Sequence, residues 1–202
     1  MGGVAVTAIQ SASNEPFLAR NLFSHHFLKE RFPIEDSRWR KCENENRLAF
    51  EKIKELYLKL RPAEKDQYKR NEANLEKDFI RPVLDILGHS YDVQQSIYFE
   101  YRSAEYPDYT LFPSEEVRQA VKDDRDRYIE AVIGLAEAKA WDIELDKTTK
   151  LGPKKFGNPS VQINNYLRDS SKPWGILTNG RKWRLYNKET SLQLDSYSNA
   201  HY

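Results

Sequence analysis

The chain has 202 residues with 32 basic and 31 acidic side chains, so its net charge of +1 neither marks a nucleic-acid-binding protein nor excludes one. This length fits one domain with an appendage, and a hydrophobic content of 39% is enough for a packed core. The single cysteine, Cys42, excludes an internal disulfide and a cysteine-based zinc site. No apolar run approaches the roughly 18 residues that span a bilayer, and no secretory signal is recognisable. We therefore expect a cytoplasmic protein without a membrane partner.

The first third of the chain favours a helical arm. Residues 1–16 are small and polar and predict a disordered segment. Apolar side chains at helical spacing predict helices over 17–32 and about 44–61, the second ended by Pro62. A charged linker follows, so we interpret residues 1–70 as an N-terminal helical arm or subdomain. Its expected role is packing against the following domain, and contact with DNA is the alternative.

A third helix is predicted to begin at Asn71 or Asn74, both good N-cap residues, and to end before Gly88. Pro82 lies inside this helix and should kink it unless the turn there is loose. Glu76 falls on the border of the apolar face. Its carboxylate is therefore either a solvated flank group or a group directed at the sheet that follows.

Short strands are predicted over 91–102, 106–112 and 135–141, where apolar residues alternate with others. The first two strands should form a hairpin. Residues 113–133 carry helical spacing and a run of charges, which predicts an exposed helical excursion between the second and third strands.

Two of these strands bring candidate catalytic groups together. Side chains two apart in a strand share a face, so Glu137 and Lys139 should emerge side by side while Ala138 points into the packing. If the strand of Asp108 lies next door, two carboxylates and one ammonium converge on one patch. Two carboxylates can hold Mg²⁺, with the backbone carbonyl of Ala138 as a further oxygen ligand. Lys139 could then orient or help deprotonate a water and stabilise developing charge.

The loop after the third strand is rich in lysine. Four of its side chains could clamp a phosphate backbone by charge: Lys147, Lys150, Lys154 and Lys155. A flexible surface loop is the alternative interpretation.

The last elements are a helix and a hairpin. Asn158 and Pro159 are typical helix-start residues and predict a helix to about residue 170, on which Gln162 and Tyr166 share a face. Asn179-Gly180 predicts a type I′ turn between strands over 174–186. We place the core domain at residues 71–190 and expect residues 191–202 to form a frayed tail.

Five motifs occur in an order typical of one nuclease family. They are residues 79–88, Pro107-Asp108, Glu137-Ala138-Lys139, residues 162–166, and the hairpin of residues 174–186. Together they resemble the PD-(D/E)xK nucleases, and in particular the N-terminal endonuclease domain of type IIG and type I restriction–modification enzymes. Segments 22–28 and 49–56 resemble the helical lead-in of the type IIG group.

This resemblance implies an α/β fold with a restriction-endonuclease-like mixed sheet of four or five strands flanked by helices. It implies a DNA endonuclease that uses Mg²⁺, or Mn²⁺ as a substitute, on double-stranded DNA. Glu76 would be a third metal-directed acid, with Glu72 as the fallback. Gln162 would orient the water or the ligands, and Tyr166 would anchor its helix or contact DNA.

Enzymes of the type IIG group carry a methyltransferase and a sequence-reading region after the nuclease. Neither fits in the residues after Tyr186, so we expect a nuclease domain or a stand-alone relative. The missing regions would come from a full-length protein or another subunit, and this chain would have little sequence specificity of its own. Three alternatives stay open: a catalytically silent DNA-binding module, a protein-interaction module, and an enzyme acting on a small phosphate ester.

Overall fold

The computed structural model describes residues 22–24, 26–60, 71–95, 106–150 and 156–191. Its centre is a five-stranded sheet in the order β1-β2-β3-β6-β7. The strands of this sheet are β1 (Ser90–Val93), β2 (Tyr109–Phe112), β3 (Gly134–Ala138), β6 (Trp174–Thr178) and β7 (Trp183–Asn187). The sheet is mixed, because β3 and β6 run parallel while every other neighbouring pair is antiparallel. A separate ladder joins β4 (Thr149–Lys150) to β5 (Phe156–Gly157).

Helices precede the sheet and cover both of its faces. The arm contains a π-helical turn (Phe27–Arg31), α1 (Phe32–Glu35), α2 (Ser37–Lys41) and α3 (Glu43–Lys59). Next comes a continuous helical segment, here called the 72–86 helix, which consists of α4 (Glu72–Leu75), a π-helical turn (Glu76–Ile80) and α5 (Arg81–Ile86). The remaining helices are α6 (Glu115–Val121), α7 (Arg125–Ala131), α8 (Pro159–Ser170) and α9 (Lys188–Ser191). The predicted fold class, α/β with a mixed sheet and an N-terminal helical arm, is confirmed.

Strand alternation divides the interior into two cores. Ala136 and Ala138 of β3 face the 72–86 helix, in a cluster with Tyr109 of β2. Leu135 faces the other way and packs in a cluster with α7 and α8. Because successive side chains of a strand point to opposite faces, Glu137 emerges on the Leu135 side of the sheet.

The arm packs against the first of these cores. Leu60 is buried there, and Ile53, Leu56 and Tyr57 pack against the same cluster. The apolar side chains that predicted the second helix are these four and Ala49. The four are confirmed as the packing face of the helix. Within the described ranges, no helix combines the length and the apolar character needed to cross a membrane.

The 72–86 helix begins at the predicted cap and accommodates its proline with a wide turn. The Asn71 side chain accepts a hydrogen bond from the Asn74 backbone N–H at 3.1 Å. At the other end of the π-helical turn, the Arg81 N–H donates to the Glu76 carbonyl. Pro82 follows directly and has no N–H of its own, so a loosened turn avoids the clash that a regular helix would impose.

The predicted hairpin of β6 and β7 is confirmed, but the prediction of a type I′ turn between them is wrong. A type I′ turn needs positive φ at both central residues, whereas of the pair only Gly180 has one, at +79°. Instead, the Asn179 side chain accepts hydrogen bonds from the N–H groups of Arg181 and Lys182, at 3.1 and 2.9 Å. An asparagine side chain that folds back on the loop replaces the tight turn.

We expect Gly180→Ala to destabilise the protein by about 2–3 kcal/mol, as strain at a special backbone position does. A Cβ at this left-handed position would lie 3.0 Å from two ring atoms of Trp141 and 3.2 Å from Leu75. Gly88→Ala is the matched control, because Gly88 has φ +76° and nothing within 4 Å of an added Cβ. It should cost only about 1 kcal/mol. Urea unfolding of both variants measures the difference, and equal losses would contradict this packing.

Several predicted segments lie outside the described residues. They are the arm before residue 22, the linker over 61–70, the second half of the strand predicted over 91–102 with the turn that follows it, and the tail from residue 192. The excursion over 113–133 is helical as predicted and consists of α6 and α7. The loop predicted after β3 contains the short β4–β5 ladder.

Candidate metal centre

The site forms where the β2–β3 ladder stops. The last residues of this ladder at the Asp108 end are Tyr109 and Ala136. Beyond that pair, the Asp108 side chain takes over, and its Oδ2 accepts a hydrogen bond from the Ala138 backbone N–H at 2.8 Å. The carboxylate thus replaces the next strand bond. Because the N–H and C=O of one strand residue point to the same side, the Ala138 carbonyl is also directed toward β2.

Glu137 and Lys139 are direct neighbours, as the strand alternation predicted. The Lys139 Nζ lies 2.5 Å from the Glu137 Oε1, and the two residues are only 6% and 3% exposed. Lys139 stands one residue beyond the end of β3. Its backbone N–H donates to the Thr178 carbonyl at 2.8 Å, which holds this position in line with the strand. The buried ion pair therefore has a rigid backbone beneath it.

Two further acids come from the start of the 72–86 helix. Glu72 and Glu76 are four residues apart and so lie on one helix face. Their carboxylate oxygens and an Asp108 oxygen all lie within 4.8 Å of one another. Glu76 is buried, whereas Glu72 and Asp108 are half-buried. The Glu137 carboxylate lies outside this group of oxygens, but its charge acts on both Asp108 and Glu72. We call these three residues together with Glu137 the carboxylate cluster.

The Glu76 carboxylate is held by two donors. The Tyr109 hydroxyl donates to the Glu76 Oε2, and the Arg81 Nη2 lies 3.5 Å from the same oxygen. The Arg81 Nε also donates to the Tyr109 hydroxyl at 3.4 Å. Both contacts to the carboxylate therefore involve a single oxygen, Oε2.

Burial and the closely spaced negative charges of the cluster shift the pKa values of its residues. Burial raises the pKa of the Asp108 carboxyl well above its ordinary value, and repulsion from Glu137 adds to this, against the opposing effect of Lys139. Burial likewise raises the pKa of Glu72, to which Glu137 and Glu76 contribute, while attraction to Lys139 and a hydrogen bond from the Ala140 backbone oppose the rise. Burial alone would lower the pKa of Lys139, but attraction to Glu137, Glu72 and Asp108 outweighs it and raises the pKa.

The cluster fits a hard divalent cation. Its side-chain donors are all carboxylate oxygens, which Mg²⁺ and Mn²⁺ prefer over softer ligands. Burial, with repulsion from neighbouring carboxylates, raises the pKa of Asp108 and of Glu72, and a bound divalent cation would favour the ionised form of both groups. Three of the acids belong to the predicted set, and Glu72 was its fallback.

Gln162 and Tyr166 are coupled to each other on α8. The Gln162 Nε2 donates to the Tyr166 hydroxyl at 2.8 Å, and Tyr166 is buried in the core beside α8. The Gln162 Oε1 is buried and has no hydrogen-bond partner within the described part of the chain. No described hydrogen bond joins Gln162 to a carboxylate of the cluster, so its site role stays a prediction.

The predicted lysine clamp is only partly described. Lys147 is exposed in the turn after β3, and Lys150 lies in β4. Lys154 and Lys155 lie outside the described residues. A phosphate-binding role for these four lysines stays a prediction.

Two groups of residues were missed in the sequence. Tyr109 directly follows Asp108 in the strand predicted over 106–112, and side-chain alternation in that strand was a usable signal that the Tyr109 ring faces the 72–86 helix. The other group is a buried ion pair, in which Arg184 of β7 donates to both oxygens of Asp146 at 2.5 and 2.7 Å. Ser160 at the start of α8 bonds to both residues. No local pattern connects positions so far apart in the chain.

Comparison of the chain with protein-family models, with curated proteins and with solved structures found no match. The resemblance to the PD-(D/E)xK nucleases therefore rests on the motifs of the chain itself.

Proposed function

We propose that this chain is a divalent-cation-dependent deoxyribonuclease that hydrolyses phosphodiester bonds in double-stranded DNA, as the cleavage domain of a restriction–modification system. One observation carries the proposal. The Asp108 carboxylate is hydrogen-bonded to the backbone between Glu137 and Lys139, within 4.8 Å of two further acids. The choice of DNA as substrate rests on the motif resemblance.

In this proposal Asp108, Glu137 and Glu76 hold the cation, and the Ala138 carbonyl offers another oxygen. Glu72 is the alternative ligand from the helix. The cation, when bound, supplies Lewis-acid chemistry: it offsets charge on a phosphoryl oxygen and lowers the pKa of a water.

Lys139 supplies a positive charge beside Glu137. Its ammonium lies against Glu137, and the surrounding carboxylates favour its charged form. A charged ammonium donates hydrogen bonds, so Lys139 would orient the attacking water or stabilise the charge that develops on the phosphate. Removal of a proton from the water would require Lys139 to be neutral first.

The charge balance of the site also bears on DNA binding. Four carboxylates face the ammonium of Lys139 and the guanidinium of Arg81, so the metal-free site repels a polyanion. Divalent cations should therefore promote both binding of DNA near Asp108 and its cleavage. Mg²⁺ and Ca²⁺ can be compared for this purpose, since Ca²⁺ shares the preference for oxygen ligands.

A plasmid-nicking assay tests the proposal. Wild-type protein should convert supercoiled plasmid to open-circular and linear forms with Mg²⁺ or Mn²⁺, and should leave it intact with a chelator. Glu137→Gln should reduce the rate by at least about 10²-fold, because it removes a charged ligand of the cation that offsets charge on the phosphoryl oxygen. Asp126→Asn, an exposed acid on α7, is the matched control and should cut like wild type.

Other outcomes identify the rival functions. DNA binding without cutting under any metal would indicate a catalytically silent module. Turnover of nucleotides without cleavage of the polymer would indicate an enzyme on small phosphate esters. Neither binding nor turnover, with a protein partner recovered in its place, would indicate an interaction module.

A further inference from the structure

The contacts around Glu76 form a relay of donors. Arg81 donates to the Tyr109 hydroxyl, Tyr109 donates to the Glu76 Oε2, and Arg81 also lies beside that oxygen. Tyr109 is fully buried, and its ring packs edge-on against Tyr91 at 5.3 Å between centroids. The hydroxyl is therefore held in place by the sheet, and the carboxylate by the hydroxyl.

This arrangement matters for a cation with strict geometry. Mg²⁺ requires near-octahedral placement of its oxygen ligands, and small rotations of a carboxylate degrade that placement. Groups that hydrogen-bond a ligand fix its orientation, and their loss typically weakens metal affinity by about 10–100-fold. Here the Tyr109 hydroxyl and the Arg81 guanidinium both contact Oε2 of Glu76. The position of this oxygen therefore determines how the carboxylate is oriented.

We propose that Tyr109 and Arg81 are positioning residues, which orient Glu76 as a cation ligand and thereby determine the divalent-cation affinity of the site. This inference rests on the proposed function, because it assumes that the carboxylate cluster binds a cation. It also gives the Asp108–Tyr109 dipeptide two tasks. Asp108 supplies one ligand itself, while Tyr109 orients a second ligand, Glu76, which comes from the 72–86 helix.

Tyr109→Phe is the main test, because it removes only the hydroxyl. Mn²⁺ and Mg²⁺ binding to the DNA-free protein are measured by isothermal titration calorimetry. We expect roughly ten-fold weaker binding in the variant. In the nicking assay, the Mg²⁺ concentration for half-maximal rate should rise by a similar factor. The rate at saturating Mg²⁺ should stay within about two-fold of wild type, since excess cation restores occupancy.

The chain provides a matched control in Tyr128. Its hydroxyl is likewise buried in hydrogen bonds, donating to Asp92 at 3.0 Å and pairing with Thr110 at 2.8 Å, but Asp92 is not part of the carboxylate cluster. Tyr128→Phe should lower thermal stability while leaving Mn²⁺ affinity unchanged. If the Tyr109 hydroxyl only supported the fold, Tyr109→Phe would likewise lower thermal stability and leave Mn²⁺ affinity unchanged.

Each outcome bears on the inference. Wild-type Mn²⁺ affinity in Tyr109→Phe overturns it, even if that variant melts earlier. If Tyr109→Phe does not fold, Arg81→Gln takes its place, because the Arg81 side chain is 37% exposed and tolerates substitution. Unchanged affinity in Arg81→Gln then overturns the inference. Failure of wild type itself to bind Mn²⁺ is a separate result, which overturns the metal site of the proposed function as well.

Discussion

Asp108→Asn will abolish DNA cleavage and raise the thermal stability of the metal-free protein. The carboxylate is a cation ligand in the proposed function, so its loss should reduce cutting by at least about 10²-fold. Asparagine keeps a side-chain oxygen that can accept the hydrogen bond from the Ala138 N–H, so the end of β2 should stay in place. Removal of one negative charge relieves the repulsion among Asp108, Glu137 and Glu72.

The stability gain has a defined pH dependence. The pKa of Asp108 is raised in the folded protein. At a pH between the unfolded and the folded pKa, the folded state therefore retains a proton that the unfolded chain has lost. In the wild type this stabilising effect is fully present below the unfolded pKa of about 3.9 and is lost as pH rises through the folded pKa. The advantage of Asp108→Asn should therefore grow as pH rises from about 4 toward neutrality.

Differential scanning calorimetry across pH, with and without Mg²⁺, measures both effects. A gain of about 1 kcal/mol would raise Tm by about 2–4 °C in a chain of this size. Mg²⁺ should stabilise wild type by mass action and stabilise the variant far less. Asp126→Asn should neither gain stability in the metal-free form nor lose the stabilisation by Mg²⁺ that wild type shows. A variant that cuts DNA normally, or that melts below wild type with the sheet intact, would contradict the assignment of Asp108.

Lys139→Met will destabilise the protein severely as well as inactivate it. Glu137 is 3% exposed, and its ammonium partner lies 2.5 Å away. Loss of this ammonium breaks a buried ion pair by removing one partner, which typically costs about 3–5 kcal/mol. The pKa of Glu137 should rise in the variant, because burial disfavours the ionised form and the nearby positive charge is gone. Stability lost at neutral pH should return as pH falls toward about 4.

A double variant separates charge from packing. Glu137→Gln combined with Lys139→Met removes both charges and should recover most of the lost free energy of unfolding, while activity stays absent. Lys182→Met is the matched control, since its partner Glu144 lies 3.4 Å away and the two side chains are 24% and 45% exposed. That change should cost less than about 1 kcal/mol. Urea unfolding at several pH values measures the free energy of unfolding of wild type, Lys139→Met, the double variant and Lys182→Met. A double variant that cuts DNA would refute the role of Lys139.

Local patterns in the sequence predicted side-chain directions within a strand and the residues that cap helices. The alternation in residues 135–141 placed Glu137 and Lys139 on one face, and the structure has them in direct contact. Asn71 or Asn74 was predicted to cap the 72–86 helix, and Asn158 to cap α8; the side chains of Asn71 and Asn158 each accept a backbone hydrogen bond at the start of their helix. These predictions succeeded because side-chain direction and capping depend only on residues within one turn or one strand.

The turn after β6 shows where a local signal fails. Asn179-Gly180 favours a type I′ turn in isolation, yet the Asn179 Nδ2 donates to the Ile143 carbonyl and Gly180 packs against Trp141. Both partners belong to the loop that follows β3. Contacts with a distant segment therefore selected another conformation for the same two residues.

The sequence by itself determined the α/β class, the helical arm, the strand that carries Glu137, and the candidate acids as separate residues. Only the tertiary structure decided that Asp108 binds the backbone of Ala138, that Glu72 and Glu76 meet Asp108, and that Tyr109 and Arg81 hold Glu76. The physical reason is separation along the chain. Periodicity specifies which face a side chain occupies, but strand pairing and the placement of the 72–86 helix specify which faces meet, and these depend on burial summed over the whole core.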